Sequence, residues 1–488
     1  MILVIGNARA RWEGLPEPVF KLLRYELSYQ VAEPGVRYYM GEDGVARQVW
    51  WDGFTSLLRQ GRWMPAGLAS RSLRLLEKWG YEPEVVDERI RPPDADPRWS
   101  FPPGFALRDY QLEAADAAWA CGRGVIDSAP RTGKTVMMLE LIRRASCRTV
   151  VTAPTIQISA QTFATAQRLF GDTGDFYLLT GGMPKTRKAL MRFKSASVFI
   201  ATADTAVAMP DSWWKGIECL IVDECHHQAA KSYHTINDLA PNAYYRWGFS
   251  GTFYRSDERE HLALEAIAGQ TVASFSIEDM RRRKVLVPAR VIFRTPTCRR
   301  IAASAKHSSA YLRGIVQDRA RNADVATVAK ELIAAGRRVL ILVHQIQHGK
   351  VLEALIPASR FIQASDGPEV REVVAQLDQG TIRCVIGSPV VGEGLDIPAA
   401  DALIYAKGKR ARVTHTQDVF RVMTASPGKE FALLVDFADR HQEGLLEHSL
   451  ERLRNYLVLR CSVKILDSVA AKRVDGDQRV DGDQVSLF

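Results

Sequence analysis

Ser128–Thr135 reads SAPRTGKT, between a short apolar run (Gly124–Ile126) and an apolar stretch of helical period, Val136–Ile142. Small residues that end a strand and open a helix leave backbone N–H groups facing an anion, and the oriented peptide dipoles stabilise its charge. The closing Gly133-Lys134-Thr135 matches the end of a phosphate-cradling loop. In that reading Ser128, Ala129, Pro130, Arg131, Thr132 and Gly133 form the cradle. Lys134 reaches the β- and γ-phosphates of a nucleotide, and the Thr135 hydroxyl helps to hold Mg2+. The alternative is an ordinary strand–helix turn. Two departures weigh on that side: Ser128 stands where a small Gly or Ala is usual, and Arg131 where Gly is frequent.

A chain of 488 residues has room for about three domains. With 47% hydrophobic and 25% charged residues it has the composition of a globular protein. A formal charge of +9 suits an acidic partner, nucleic acid being the commonest; a mildly basic protein without such a partner is the alternative. The seven cysteines are scattered and form no CxxC pair, which points to a reducing compartment and away from a zinc site. Met1-Ile-Leu-Val-Ile is too short for a signal-peptide core and has no cationic start. No apolar run approaches the ~20 residues that span a bilayer. The expected location is the cytoplasm, with no membrane partner.

Residues 1–100 read as a small α+β module. Phe20–Leu27 and Ser70–Trp79 have helical apolar spacing, and Val36–Leu58 has the Tyr, Trp and Val content of hairpins broken by Gly. Trp50, Trp51 and Trp63 lie near Arg47, Arg59 and Arg62, a mixture suited to base stacking and phosphate contacts, unless these tryptophans are core. The Pro-rich stretch from Arg91 to Pro103 reads as a linker. Beyond it, Arg148–Ala153, Val198–Ala201, Cys219–Val222 and Trp247–Phe249 have the composition of buried parallel strands alternating with helices. A second set follows at Val339–Val343, Cys384–Ile386, Ala402–Tyr405 and Ala432–Val435. The predicted architecture is α/β, with two tandem parallel-sheet lobes, 101–285 and 286–469, and a polar tail, 470–488, that repeats VDGDQ and should be disordered.

Val222-Asp223-Glu224-Cys225-His226 follows one of those strands, so its carboxylates emerge at the C-terminal sheet edge where α/β folds bind ligands. Asp223 would hold Mg2+, whose charge offsets the repulsion of the pair, and Glu224 would deprotonate an attacking water. His226 would couple nucleotide state to Ser250-Gly251-Thr252, with Ser250 and Thr252 as its partners, unless it is a plain turn histidine.

With the GKT and DECH segments in place, the chain resembles a superfamily 2 helicase over residues 105–440, and the resemblance implies RecA-like lobes with ATP between them. Arg108 and Gln111 resemble the family's adenine-reading element. Pro154-Thr155, Gly181-Gly182 and Thr202 resemble its first-lobe strand-contacting turns, and Gly394 and Asp396 its second-lobe turn, which touches both nucleic acid and nucleotide. Gln417 and Arg421 fall where the family places a γ-phosphate-sensing glutamine and an arginine finger. The family's last motif, Gln-x-x-Gly-Arg-x-x-Arg, is altered here: Phe420 replaces the glycine and Thr424 the second arginine. An arginine finger is worth ~10³–10⁵ in rate, so either Arg421 suffices, Arg410 or Arg412 substitutes, or hydrolysis is slow.

The N-terminal module, with Trp51-Asp52-Gly53, Pro65–Leu68 and Trp79-Gly80-Tyr81, is similar to the accessory domain of UvsW-type phage helicases. That likeness implies a DNA-binding module and action on branched or forked DNA in replication, recombination or repair. Basic clusters at Lys185, Arg187, Lys188, Arg192 and Lys194 and at Lys407, Lys409, Arg410 and Arg412 fall on the family's nucleic-acid face; solvated charge runs are the alternative. Arg281–Lys284 suits a helix C-terminus. The final Gln484-Val485-Ser486-Leu487-Phe488 resembles the bacterial sliding-clamp-binding pentapeptide, with Gln484, Leu487 and Phe488 as anchors. The expected activity is ATP- and Mg2+-dependent DNA unwinding or translocation. The alternatives are a clamp-tethered scaffold that does not hydrolyse ATP, and the motor subunit of a restriction or nuclease system.

Overall fold

The structure, a computed structural model, describes residues 1–30, 33–40, 46–224, 231–251, 258–363, 367–388, 397, 400–410 and 412–466. They fall into two compact units, residues 1–276 and 277–488.

Unit 1 opens with strands β1 (Ile2–Ile5) and β2 (Arg9–Glu13), a helix at Glu17–Glu26, then β3 (Ser28–Gln30), β4 (Gly35–Met40), β5 (Ala46–Trp51), β6 (Phe54–Ser56) and β7 (Trp63–Pro65). A helix at Ala69–Lys78 and β8 (Glu84–Asp87) complete the module. A mixed sheet in the order β7-β2-β1-β8 forms its centre, and β4 and β5 make a separate two-stranded ribbon. In β2 Ala10 and Trp12 face inward while Arg9, Arg11 and Glu13 face water, the alternation expected of a half-buried strand. The inward face meets Phe20, Leu23, Met64 and Leu76, and also Leu262 and Ala266 from the helix Glu258–Ala268. The module is therefore seated on the rest of unit 1. Of the aromatics beside its arginines, Trp50 is 71% exposed, and Trp63 lies under Arg9, whose guanidinium carbon is 4.4 Å from the ring centroid.

The Pro-rich stretch is not a loose tether. Trp99 is buried, its ring centroid 5.3 Å from that of Phe176, and its Nε1–H donates to Asp175 Oδ2 at 3.1 Å. Trp99, with Phe101 whose ring centroid is 5.1 Å from that of Phe170, straps a segment that lacks helix or strand onto unit 1.

A seven-stranded parallel sheet follows: β9 (Arg123–Ser128), β10 (Thr149–Ala153), β11 (Phe176–Leu179), β12 (Val198–Thr202), β13 (Cys219–Val222), β14 (Tyr245–Ser250) and β15 (Thr271–Phe275). Their order is β11-β12-β10-β13-β14-β9-β15. Unit 2 has a second such sheet: β16 (Ala289–Arg294), β17 (Val339–Leu342), β18 (Ser359–Ile362), β19 (Cys384–Gly387), β20 (Ala402–Tyr405), β21 (Ala432–Phe437) and β22 (Ser462–Ile465). It is ordered β18-β19-β17-β20-β21-β16-β22, so position for position both sheets have the same winding. These are two RecA-like lobes in tandem, as the alternation of strand and helix patterns predicted. Their central strands are buried on both faces, as in β10, β13 and β17, which is why they read as continuous apolar runs. Among the described residues no helix is long and apolar enough to cross a membrane.

Candidate nucleotide and nucleic-acid site

The loop between β9 and the helix Lys134–Ala145 is shaped from within. Ser128 Oγ donates to Thr132 Oγ1, and Thr132 Oγ1 donates to the Ala129 carbonyl, both at 2.7 Å and both buried. The backbone turns left-handed at Arg131 (φ 71°) and again at Gly133 (φ 81°). Arg131 thus holds a conformation that favours glycine. At 133 glycine is required, because a Cβ there would come 2.4 Å from Gln111 Nε2. The Gln111 amide accepts from the Arg108 N–H (2.9 Å) and donates to the Thr132 carbonyl (2.9 Å), which also accepts from the Tyr110 hydroxyl (2.7 Å). Both ends of the side chain expected to read adenine therefore meet backbone, and Gln111 clamps the loop. Pro130 and Thr135 are half-buried at its rim.

Asp223 and Glu224 leave the end of β13, two strands from β9. Asp223 is buried and accepts from the Glu224 N–H at 2.9 Å, and Glu224 has a φ of 46°. Lys134 Nζ lies 3.2 Å from Glu224 Oε1 with both side chains largely buried. A Cβ at Gly251 would stand 2.5 Å from Lys134 Nζ, so the bare residue after β14 leaves the lysine room beside Glu224. Ser250, next to it, is buried and registered against Asp127 at the end of β9. Burial first, then the Glu224 charge, push the Asp223 carboxyl up to about 7, and Lys134 opposes the rise. A desolvated carboxylate beside a second one is a fitting ligand for a divalent cation, whose charge removes the penalty on both. Donor set and burial at Thr135 and Asp223 fit Mg2+.

The remaining turns of that sheet edge follow β10, β11 and β12. Thr155 caps the helix Ile156–Phe170 by accepting from the Ile158 N–H (3.2 Å), and Thr202 caps the short helix Ala203–Val207 by accepting from the Thr205 N–H (3.3 Å). Pro154 is half-buried beside Thr155. Gly181 and Gly182 are exposed with nothing near the position of a Cβ. Thr186 starts a helix at Arg187–Ser195 on which Arg187, Lys188, Arg192 and Lys194 reach solvent, with Lys185 just before it. The expected first-lobe cluster is a solvated basic face.

The second cluster needs correction. Lys407 is buried, and its ammonium pairs with Asp418 Oδ2 at 2.6 Å. The chain after β20 turns inward, so this lysine is not part of an open basic run. Lys409 Nζ sits 4.4 Å from the Tyr311 ring centroid, and Arg410 pairs at 3.5 Å with Glu451 on the surface. On the helix Arg412–Met423, Gln417 is half-buried. Arg421 is buried with its Nε 3.5 Å from Asp418 Oδ1, which makes Asp418 the shared counter-charge of Lys407 and Arg421. Phe420 is fully buried, so the lobe core absorbs the side chain that replaces the family's glycine. Thr424 Oγ1 donates to the Phe420 carbonyl (3.3 Å) and closes the helix end. Sequence reasoning passed over Asp418, although its position three residues before Arg421 was a usable signal. His226, Thr252, Gly394, Asp396, Gln484, Leu487 and Phe488 lie outside the described residues.

Residues 104–255, which hold the cradle and the acidic pair, match the family described as Type III restriction enzyme, res subunit. The DNA 3'-5' translocase XPB2 of Sulfurisphaera tokodaii is 23% identical over 389 residues, spanning 71% of this chain and 84% of that protein. The ATP-dependent Type ISP restriction-modification enzyme LlaBIII, solved bound to DNA, is 14% identical with a TM-score of 0.52 over 79% of this chain; the match spans 32% of that enzyme. UvsW of phage T4 is 18% identical and is covered over 99% of its length by 95% of this chain, with a TM-score of 0.46.

Proposed function

We propose that the chain, which carries a segment matching the Type III restriction enzyme res-subunit family and is similar to a DNA 3'-5' translocase, is a superfamily 2 helicase that couples ATP hydrolysis to unwinding or branch migration of forked or branched DNA. Replication, recombination or repair is the setting. The observation that supports a working motor most directly is the buried Lys134–Glu224 pair beside Asp223, gathered by neighbouring loops of one sheet edge.

Lys134 transfers its charge from Glu224 to the β- and γ-phosphates of ATP, which frees Glu224 to take a proton from the attacking water. Asp223 and Thr135 would hold Mg2+. When bound, that ion supplies the positive charge that neutralises the phosphoryl oxygens. The Ser128–Gly133 backbone, Pro130 excepted, supplies N–H donors, with Arg108 and Gln111 at the base. Gly394 and Asp396 belong to the nucleotide-linked turn, and Gln417 and Arg421 act on the γ-phosphate. His226, Ser250 and Thr252 relay nucleotide state. Pro154, Thr155, Gly181, Gly182, Thr202 and the Lys185–Lys188 cluster grip the strand, joined by Lys409 and Arg410.

Lys134→Ala should lower DNA-stimulated ATPase turnover by on the order of 10²–10³ or more, the cost of losing a positioned electrostatic stabiliser. Unchanged turnover in that variant would refute the assignment, and no stimulation of the wild type by DNA would favour a scaffold. A panel of single-stranded, duplex, forked and four-way-junction DNAs tests the branched preference. The match to the restriction-enzyme family supports a second reading, a duplex translocase serving a nuclease partner. It predicts displacement of a triplex-forming strand without unwinding. The tail residues Gln484, Leu487 and Phe488 would dock on a sliding clamp, and deleting 484–488 should abolish binding to it.

A further inference from the structure

A cavity of about 690 Å³ opens in unit 2 between the segment that follows β16 and the helix Arg319–Ala334. Arg299, Arg300, Arg313 and Arg319 line it together with Gln317 and Asp318. All four arginines are exposed, and among the described residues none of their guanidiniums has a carboxylate partner. The one carboxylate in the wall is already engaged. Asp318 accepts from the N–H groups of Arg321 (2.9 Å) and Arg299 (3.3 Å) and lies 3.4 Å from His441 Nε2.

Two further features mark the lining. The helix starts with Arg319 directly after its N-cap Asp318, whose carboxylate accepts from the Arg321 N–H and meets the positive helix end, so the guanidinium of Arg319 is left to the hollow and solvent. Arg313 stands in a single π-helical turn, Leu312–Val316, a geometry that concentrates at functional sites. Four guanidiniums that repel one another around one hollow are stabilised by an anion with several acceptor oxygens. A volume in the range of ligand sites, ~300–1,000 Å³, exceeds what one phosphate fills.

We propose that this cavity binds successive phosphates of a nucleic-acid strand and is the principal backbone grip of unit 2. The inference rests on the DNA-motor reading. It gives unit 2 phosphate contacts beyond Lys409 and Arg410, since Lys407 is buried against Asp418.

The test is fluorescence anisotropy of an oligo-dT strand titrated with salt, using wild type, Arg299→Gln/Arg313→Gln and Arg319→Gln. For every phosphate that a substitution leaves unneutralised, the slope of log Kobs against log salt should flatten by about 0.7. The double variant should therefore be flatter than wild type by about 1.4, while Arg319→Gln weakens binding at an unchanged or higher Tm. An unchanged slope in the double variant overturns the proposal. If tripolyphosphate protects wild type but not the double variant against thermal unfolding while the DNA slopes agree, the ligand is a free phosphate and the nucleic-acid assignment falls. ATPase stimulation of the wild type, measured in parallel, judges the motor reading separately: its absence leaves the slopes to decide the cavity.

Discussion

Asp418 shows how much one carboxylate can organise. It neutralises Lys407 and stands at ionic distance from Arg421, with all three side chains nearly excluded from water. Asp418→Asn would remove the counter-charge that Lys407 and Arg421 share, and breaking a buried pair typically costs ~3–5 kcal/mol. Urea unfolding of unit 2 should shift by that order, and Arg421-dependent turnover should fall even in the fraction that stays folded. A midpoint within error of wild type would show that the pair contributes nothing. Arg131 teaches a different lesson at the same scale. Its side chain at a glycine-like position argued against a phosphate cradle in sequence, yet the backbone there is left-handed all the same. The loop imposes the conformation on arginine at a cost of order 1–2 kcal/mol. Glu224, also at positive φ, is a second instance, and strain of this kind collects at working sites.

Among the elements, the parallel strands were legible because burial on both faces makes each an uninterrupted apolar run. The helices after them were legible from the spacing of their apolar residues. What spacing does not reveal is which face of the N-terminal module is covered. Gly67 decides that: a Cβ there would lie 2.0 Å from the Glu265 carbonyl oxygen, so the segment before the helix Ala69–Lys78 rests directly on the helix Glu258–Ala268. Arg71 adds an ion pair to Glu265. Gly67→Ala should destabilise the seating by ~1–3 kcal/mol, seen as faster proteolytic cleavage between Glu88 and Arg108 while the ATPase core stays intact. Equal cleavage rates would mean that the packing there yields without cost. Trp99 makes the same point, since a Pro-rich composition reads as a linker whether or not one tryptophan anchors it.

For the molecule as a whole, the two units should answer acid with opposite signs at their buried groups. In unit 2 burial pushes His348 down to about 3 and His415 well below the ordinary range. The unfolded chain takes up a proton on each as pH falls below ~6.5, the native state does not, and stability falls by roughly 1.4 kcal/mol per pH unit for each imidazole. Asp223 in unit 1 runs the other way. With its carboxyl raised from 3.8 to about 7, it contributes stability at low pH that is lost as pH rises through that window. Hydrogen exchange at pH 7 and pH 5 should therefore show residues 277–466 losing protection before residues 1–251; the reverse order would contradict this assignment. By itself the sequence determined the tandem α/β plan and picked out the loop Ser128–Thr135 and the acidic pair Asp223-Glu224 as candidates, because apolar period and short motifs are local properties of a chain. Only tertiary structure decided that Lys134 meets Glu224, that Lys407 turns inward to Asp418, and that four arginines share one hollow. Those facts depend on which loops the crossovers bring to one sheet edge and on which charges solvent can still reach, and neither is encoded within a few residues.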